Sequence, residues 1–265
     1  MNYVVESYEN YKEEDRLTTN NARKIEFITT VKAFNEVFPA SAKMLDCAAG
    51  TGIYSFYYAE KGFDVTALDI TPRHINLIDQ KLKDKSYDMK TFVNDAADLS
   101  MFDDETFDIV LCMGPVYHLT DKSKREKCLS ECTRVLKKGG ILAVSYINRF
   151  YIFPCIAADN KKYLNADFAK TLIETGTIKH DDPNCFWTDS YYSIPEEVEK
   201  SLKNAHIEVI DHLASDGISP LISEKVDCMN DKEFKIWCDY HYAVCRQKSI
   251  LGASNHGLII GRRNI

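Results

Sequence analysis

The sequence predicts an α/β protein, a parallel sheet with helices on both faces, built as one domain. Three observations carry this. Strand-like apolar runs alternate with helix-like segments between residues 43 and 147. The first run ends in Asp46-Cys47-Ala48-Ala49-Gly50-Thr51-Gly52, an acid and small residues leading into a helical stretch. The 265 residues, 45% of them hydrophobic, suffice for one large core or one domain with insertions.

The elements follow in order. Residues 3–20 are polar, acidic and tyrosine-bearing. Residues 22–38 place Phe27, Val31, Phe34 and Phe38 on one helical face. Strand-like runs cover 43–47, 64–69, 89–94, 107–112 and 140–147. Helix-like runs cover 53–61, 72–83 and 121–136. Thr71-Pro72 is a helix start, with Thr as cap and Pro at the first position. Lys137-Lys138-Gly139-Gly140 reads as a helix stop, cations at the negative end and then glycines. Strands alternating with helices imply parallel pairing and right-handed crossovers. After Ile147 the alternation fails, and residues 148–193 are aromatic-rich. Ser193-Ile194-Pro195-Glu196 opens a helix to about Asn204. Residues 207–213 and 257–262 read as two closing strands, bringing the sheet to seven. Between them, 232–247 carries Phe234, Trp237, Tyr240 and Val244 at helical spacing. The expected division of the single domain 1–265 is an N-terminal helical cap (1–38), a core (40–147) and two insertions above it (148–193 and 214–253).

Composition excludes several classes. The net charge of −7 disfavours nucleic acid as a partner. The opening segment is polar rather than a leader, and no apolar run approaches the roughly 18 residues of a membrane span. Nine cysteines without a CxxC pair fit reduced thiols in the cytoplasm better than disulfides or zinc. Cys128 and Cys132 share a helix face, but no His or second pair completes a metal set. They are expected in the core, and no metal is expected.

The glycine turn carries the chemistry. Gly50 and Gly52 allow positive φ and close approach of a ligand to the backbone, and the helix behind them presents free N–H groups. Asp69, about 20 residues on, is placed to accept hydrogen bonds from a ribose. A dinucleotide fold could read Gly50-Thr51-Gly52-Ile53-Tyr54-Ser55 as G-x-G-x-x-S. Asp46 opposes that reading: a buried carboxylate at the end of the strand needs a partner, which a ligand ammonium would supply. Each residue also has a plainer role. Asp46 could stabilise the turn, Asp69 could cap the Pro72 helix, and Asp95 could be a loop acid.

Leu45-Asp46-x-x-x-Gly50-x-Gly52 resembles motif I of the class I S-adenosylmethionine (SAM)-dependent methyltransferases. The segments around Asp69, Asn94-Asp95-Ala96, Phe107–Met113 and Arg134-Val135-Leu136-Lys137-Lys138-Gly139-Gly140 resemble the later motifs, in order. Ala48 stands where that family has its first glycine. The resemblance implies a seven-stranded, mostly parallel, doubly wound Rossmann-like sheet with helical insertions forming a lid. It implies SAM as cofactor and S-adenosyl-L-homocysteine as product. It assigns the cofactor to Asp46, Ala48, Gly50, Gly52, Asp69, Ile70, Asp95, Ala96 and Met113, with Tyr8, Tyr11 and Arg16 on a segment that folds over it, of which Tyr11 and Arg16 are the expected contacts. Arg16 could instead pair with Glu13 or Glu14.

The [DNS]-P-P-[YFW] signature of base-amino methylation is absent. Met113-Gly114-Pro115-Val116-Tyr117-His118-Leu119 stands there and resembles a bacterial small-molecule or unassigned subgroup. Methyl transfer chiefly needs alignment of the nucleophile and exclusion of water. His118 is the candidate base if the nucleophile arrives protonated; its plainer roles are to cap the helix beginning near Asp121 or to hydrogen-bond a carbonyl. Tyr117 is the second catalytic candidate, packing its plainer role. Arg149 could hold an acidic substrate group or form a surface ion pair. Phe186, Trp187, Tyr191 and Tyr192 could wall a substrate pocket or form the insertion's core. The expected function is methyl transfer from SAM to a small-molecule O, N or S nucleophile by a monomer or homodimer. The alternatives are a protein or RNA methyltransferase, an NAD(P)-dependent oxidoreductase and a non-catalytic SAM-binding module.

Overall fold

The computed structural model describes residues 3–264; Met1 and Asn2 of the expected cap, and Ile265, lie outside the described residues. Helices α1 (Tyr3–Asn10) and α2 (Asn21–Val37) open the chain. The alternation then runs β1 (Lys43–Asp46), α3 (Ile53–Ala59), β2 (Asp64–Asp69), α4 (Pro72–Leu82), β3 (Lys90–Val93), β4 (Phe107–Cys112), α5 (Pro115–His118), α6 (Lys122–Val135) and β5 (Leu136–Ile147). Beyond it come α7 (Arg149–Asp159), α8 (Ala166–Glu174), the short pair β6 (Thr177–Ile178) and β7 (Ser190–Tyr191), and α9 (Pro195–Asn204). The chain finishes with β8 (Ile207–Ala214), α10 (Ser223–Asp227), α11 (Asp231–Val244), α12 (Lys248–Leu251) and β9 (His256–Arg263).

Seven strands form one sheet in the order β3-β2-β1-β4-β5-β9-β8. β1 to β5 pair in parallel, while β9 runs antiparallel to β5 and β8. The sheet is therefore mostly parallel and doubly wound. In the inner strands β2, β1, β4, β5 and β9, residues alternate between two buried faces. Leu45, Val110, Leu142 and Val144 face α6 and α9. Met44, Ile109, Leu111 and Ala143 face α2 and α3. Burial on both faces is why these strands read as nearly unbroken apolar runs. Strand order reverses between β1 and β4, so a crevice opens beyond their carboxyl ends.

Three expectations are corrected. β5 begins at Leu136, directly after α6, not at Gly140. Leu136 pairs with Phe107, and the register then shifts so that Ile141 meets Ile109. Gly139, at φ +75°, takes the irregularity, so the apparent helix stop is a bulge inside the strand. On α11, Phe234 and Trp237 pack beside Ala22, Ile25 and Val226, but Tyr240 is 60% exposed. The insertion 214–253 packs α10 and α11 against α2 instead of forming a lid.

Candidate active site

The turn after β1 is fixed by backbone pairing on both sides. The Cys47 N–H donates to the Leu111 carbonyl and the Ala49 N–H to that of Leu68, both at 2.9 Å. Gly50 and Gly52 adopt φ of +54° and +87°, as read from the sequence. A Cβ on Gly52 would lie 2.9 Å from the Phe56 ring and 3.1 Å from Ile78. Asp46 is buried. Its Oδ2 accepts from Ser55 Oγ at 2.7 Å, while Oδ1 has no partner among the described residues. Burial pushes its carboxyl up to about 7.

A cavity of about 370 Å³ lies over the carboxyl ends of β1, β2 and β4. Its floor is Cys47 to Thr51, Asp69 to Thr71, Asp95, Ala96, Met113 and Gly114. Asp69 Oδ2 accepts from the Gly50 N–H at 2.8 Å. Oδ1 accepts from the Thr71 N–H at 2.8 Å and sits 3.1 Å from His74 Nδ1. Asp95 Oδ1 accepts from the Ala97 N–H at 2.8 Å. These bonds aim both carboxylates.

The roof comes from the N-terminal segment, with Tyr3, Val4, Tyr8, Glu13, Glu14, Arg16 and Leu17 lining the cavity. Arg16 donates to Glu13 Oε1 at 2.7 Å and to Glu26 Oε2 at 2.8 Å. Burial opposes ionisation of Glu26, but the charges of Arg16 and His256 prevail and hold its carboxyl at about 2. Arg16 thus pairs with Glu13, one of the two acids expected from sequence, and also with a third, Glu26 on α2.

At the far end, His118 Nδ1 lies 3.3 Å from the Asp189 carbonyl and Nε2 lies 3.0 Å from Tyr8 Oη. A carbonyl only accepts, so Nδ1 carries the proton and Nε2 accepts from Tyr8. Burial pushes His118 down to about 4, leaving it neutral near pH 7. Trp187 stands edge-on to it, centroids 4.9 Å apart. Tyr117 Oη donates to the Met113 carbonyl at 3.1 Å.

The structure brings Ala48, Gly50, Asp69, Ile70, Asp95, Ala96, Met113, Arg16, Tyr117 and His118 to one cavity. Three expected cofactor residues do not line it. Asp46 lies beneath the floor. Gly52 shapes the turn as the N-cap of α3. Tyr11 is 38% exposed; its carbonyl accepts from Arg73, and the tyrosine facing inward is Tyr8. Glu13, expected only as a partner of Arg16, also lines the cavity, as do His74 and Asp189, which have no signal in their sequence context. Of the aromatic insertion, Trp187 meets Tyr8 and His118, whereas Tyr192 and Phe186 join the insertion's own core. Tyr191 donates to Glu197. Arg149 is buried and pairs with Glu197 at 2.7 Å, so neither a substrate contact nor a surface ion pair describes it. No residue of 214–253 lines the cavity, and no described helix is long and apolar enough to cross a membrane.

The methyltransferase domain family matches residues 45–144, the stretch from β1 into β5. A ubiquinone biosynthesis O-methyltransferase of Xanthomonas oryzae is 28% identical over 172 residues, 65% of this chain. The chain spans 65% of the length of that curated relative. A glycine/sarcosine N-methyltransferase of Aphanothece halophytica is 32% identical over 123 residues, 46% of this chain and 44% of that protein. Among solved structures, the 1,6-didemethyltoxoflavin-N1-methyltransferase of Burkholderia thailandensis, with S-adenosylhomocysteine bound, superposes with a TM-score of 0.58. It covers 99% of this chain and 86% of its own at 15% identity, a likeness of fold. With the ordered motifs, the strand order and these matches in agreement, the core of this chain is a methyltransferase domain of the class I, Rossmann-like, SAM-dependent family.

Proposed function

We propose that this protein transfers a methyl group from SAM to a small-molecule O, N or S nucleophile. The observation that carries the reading is the convergence of Asp69, Asp95 and the Gly50 turn on one roofed cavity at the strand ends. The donor set suits the cofactor. Asp69 offers a carboxylate for a ribose diol, and Asp95 one for the adenine amine, beside Ala96 and Ile70. Arg16 suits the methionine carboxylate, and Glu13 its ammonium. The buried, unpartnered Oδ1 of Asp46 is a second acceptor under that end, within reach through water. Ala48, Gly50 and Met113 give close-packed walls. Gly52 holds the turn, and Tyr11 stays outside.

When bound, SAM supplies a methyl group made electrophilic by its sulfonium. The chain holds the nucleophile in line and keeps water out through α1 and the segment around Asp189. His118 Nε2 is the site that takes a proton from an acceptor that arrives protonated, displacing or acting through Tyr8 Oη, and it does so as a weak base because burial lowers it to about 4. Tyr117 positions the Met113 carbonyl rather than reacting. Both named relatives are methyltransferases of small molecules, and the enclosed cavity favours that class over a protein or RNA. The nine cysteines are free thiols, which supports a reducing, cytoplasmic setting. The acidic net charge argues against nucleic acid. A monomer or homodimer accommodates a site built within one chain.

The test is thermal melting with SAM, S-adenosylhomocysteine and NADP, followed by transfer of labelled methyl to a panel of phenols, amines and thiols. Protection by the first two, with affinity about tenfold or more weaker in Asp69→Ala, supports the reading. Protection by NADP alone sinks it.

A further inference from the structure

Four cysteines distant in sequence meet in the core. Cys47 follows β1, Cys112 ends β4, and Cys128 and Cys132 lie one turn apart on α6. All four are at most 1% exposed. The sulfurs of Cys47 and Cys132 are 3.8 Å apart, and those of Cys112 and Cys128 are 3.9 Å apart. Those of Cys47, Cys112 and Cys132 lie within 4.8 Å of one another. Zinc–thiolate bonds of about 2.3 Å set tetrahedral sulfur–sulfur edges of about 3.8 Å. Both pair distances match that edge. The helix pair therefore has the second pair that its sequence neighbourhood lacks, supplied by two strand ends.

One other described cluster has ligand-type atoms this close: Glu26, Asp216 and His256. Its charges are already matched. Arg16 binds Glu26, His256 sits 2.6 Å from Asp216, and Ser254 and the His256 N–H also serve Asp216. The thiols instead contact one another, inside an apolar core with Val110, Leu129, Val135 and Leu142. Thiolate ligands select soft d10 cations.

We propose that Cys47, Cys112 and Cys132, with Cys128 as fourth sulfur, bind one thiophilic d10 cation. The site clamps the ends of β1 and β4 to α6 directly beneath the cavity. Cys47 also lines that cavity, which gives the ion a way in and couples the clamp to the turn above. The proposal does not depend on the reaction catalysed.

The experiment titrates the full, reduced chain with Cd2+, following thiolate-to-metal charge-transfer absorption, then competes with Zn2+. Saturation at a single ion per chain is expected, with a raised melting temperature. The double variant Cys112→Ala/Cys132→Ala keeps the site apolar and should weaken binding on the order of 100-fold. The exposed Cys228 changed to Ala should leave it intact. Absence of stoichiometric binding by the wild type overturns the proposal, as does full binding by a cooperatively melting double variant. If that variant does not fold, the single variant Cys128→Val replaces it, and undiminished binding there also overturns the four-sulfur site.

Discussion

At Gly52 two constraints coincide. The backbone sits at φ +87°, and an added Cβ would press on Phe56 and Ile78. The left-handed conformation alone costs an L-residue about 1–2 kcal/mol. Gly52→Ala should lose at least that much in urea unfolding, with Phe56 and Ile78 adding to it. His118 makes a pH-dependent prediction. Burial lowers it to about 4 in the folded chain, against about 6.5 unfolded. Between those values the unfolded chain binds the extra proton. The stability that neutral His118 contributes is therefore complete above about pH 6.5 and is lost as pH falls toward 4. The unfolding free energy of wild type minus that of His118→Asn should shrink from about pH 7.5 to about pH 5. His256 is common to both proteins and cancels. A difference constant with pH would contradict a buried, neutral His118.

Among the elements, the contrast lies between α1, which roofs the cavity, and α10–α11, which do not. Trp237 packs in the cluster with Ala22, Ile25 and Val226 and donates to Ser219 Oγ at 3.0 Å. Its removal leaves a partly collapsible gap under α2. Trp237→Ala should cost about 2–3 kcal/mol while leaving S-adenosylhomocysteine affinity unchanged, measured by denaturation and by calorimetry. A matching loss of affinity would restore 214–253 as a lid. The same contrast marks what sequence carries. β1, β2, β4 and the body of β5 were legible because burial on both faces leaves a continuous apolar signal, and the acids and glycines at their ends follow from the turn. Choosing Tyr8 over Tyr11 was not legible. The two lie three residues apart, and the docking of α1 on distant residues decides which faces inward. The side of the sheet that α11 covers, and the meeting of Cys47 and Cys112 with α6, are likewise tertiary outcomes without a local pattern. β5 misled for a local reason: Gly139-Gly140 marks a helix end and a strand bulge with the same residues.

For the molecule as a whole, the sheet is a rigid floor and α1 a lightly held roof. α1 contains no buried residue. Its ties include Tyr8 to His118 at 3.0 Å and edge-on to His74 and Trp187, Glu9 to the Arg73 N–H at 3.2 Å, Tyr3 stacked on His180, and the Tyr3 carbonyl accepting from Thr188. With no buried residue of its own and Tyr8 as its main anchor, α1 should open locally at a free energy below that of global unfolding. A ligand held between the Asp69–Asp95 floor and the Tyr8–Arg16 roof binds the closed form. At a concentration about 100 times its Kd it adds about 2.7 kcal/mol to that form. Amide exchange at residues 3–10 should therefore slow markedly when S-adenosylhomocysteine saturates the protein, along with the turn at 48–52. Slowing at 48–52 with residues 3–10 unchanged would mean that the ligand rests on the floor alone, and that the roof belongs to the acceptor's half of the site.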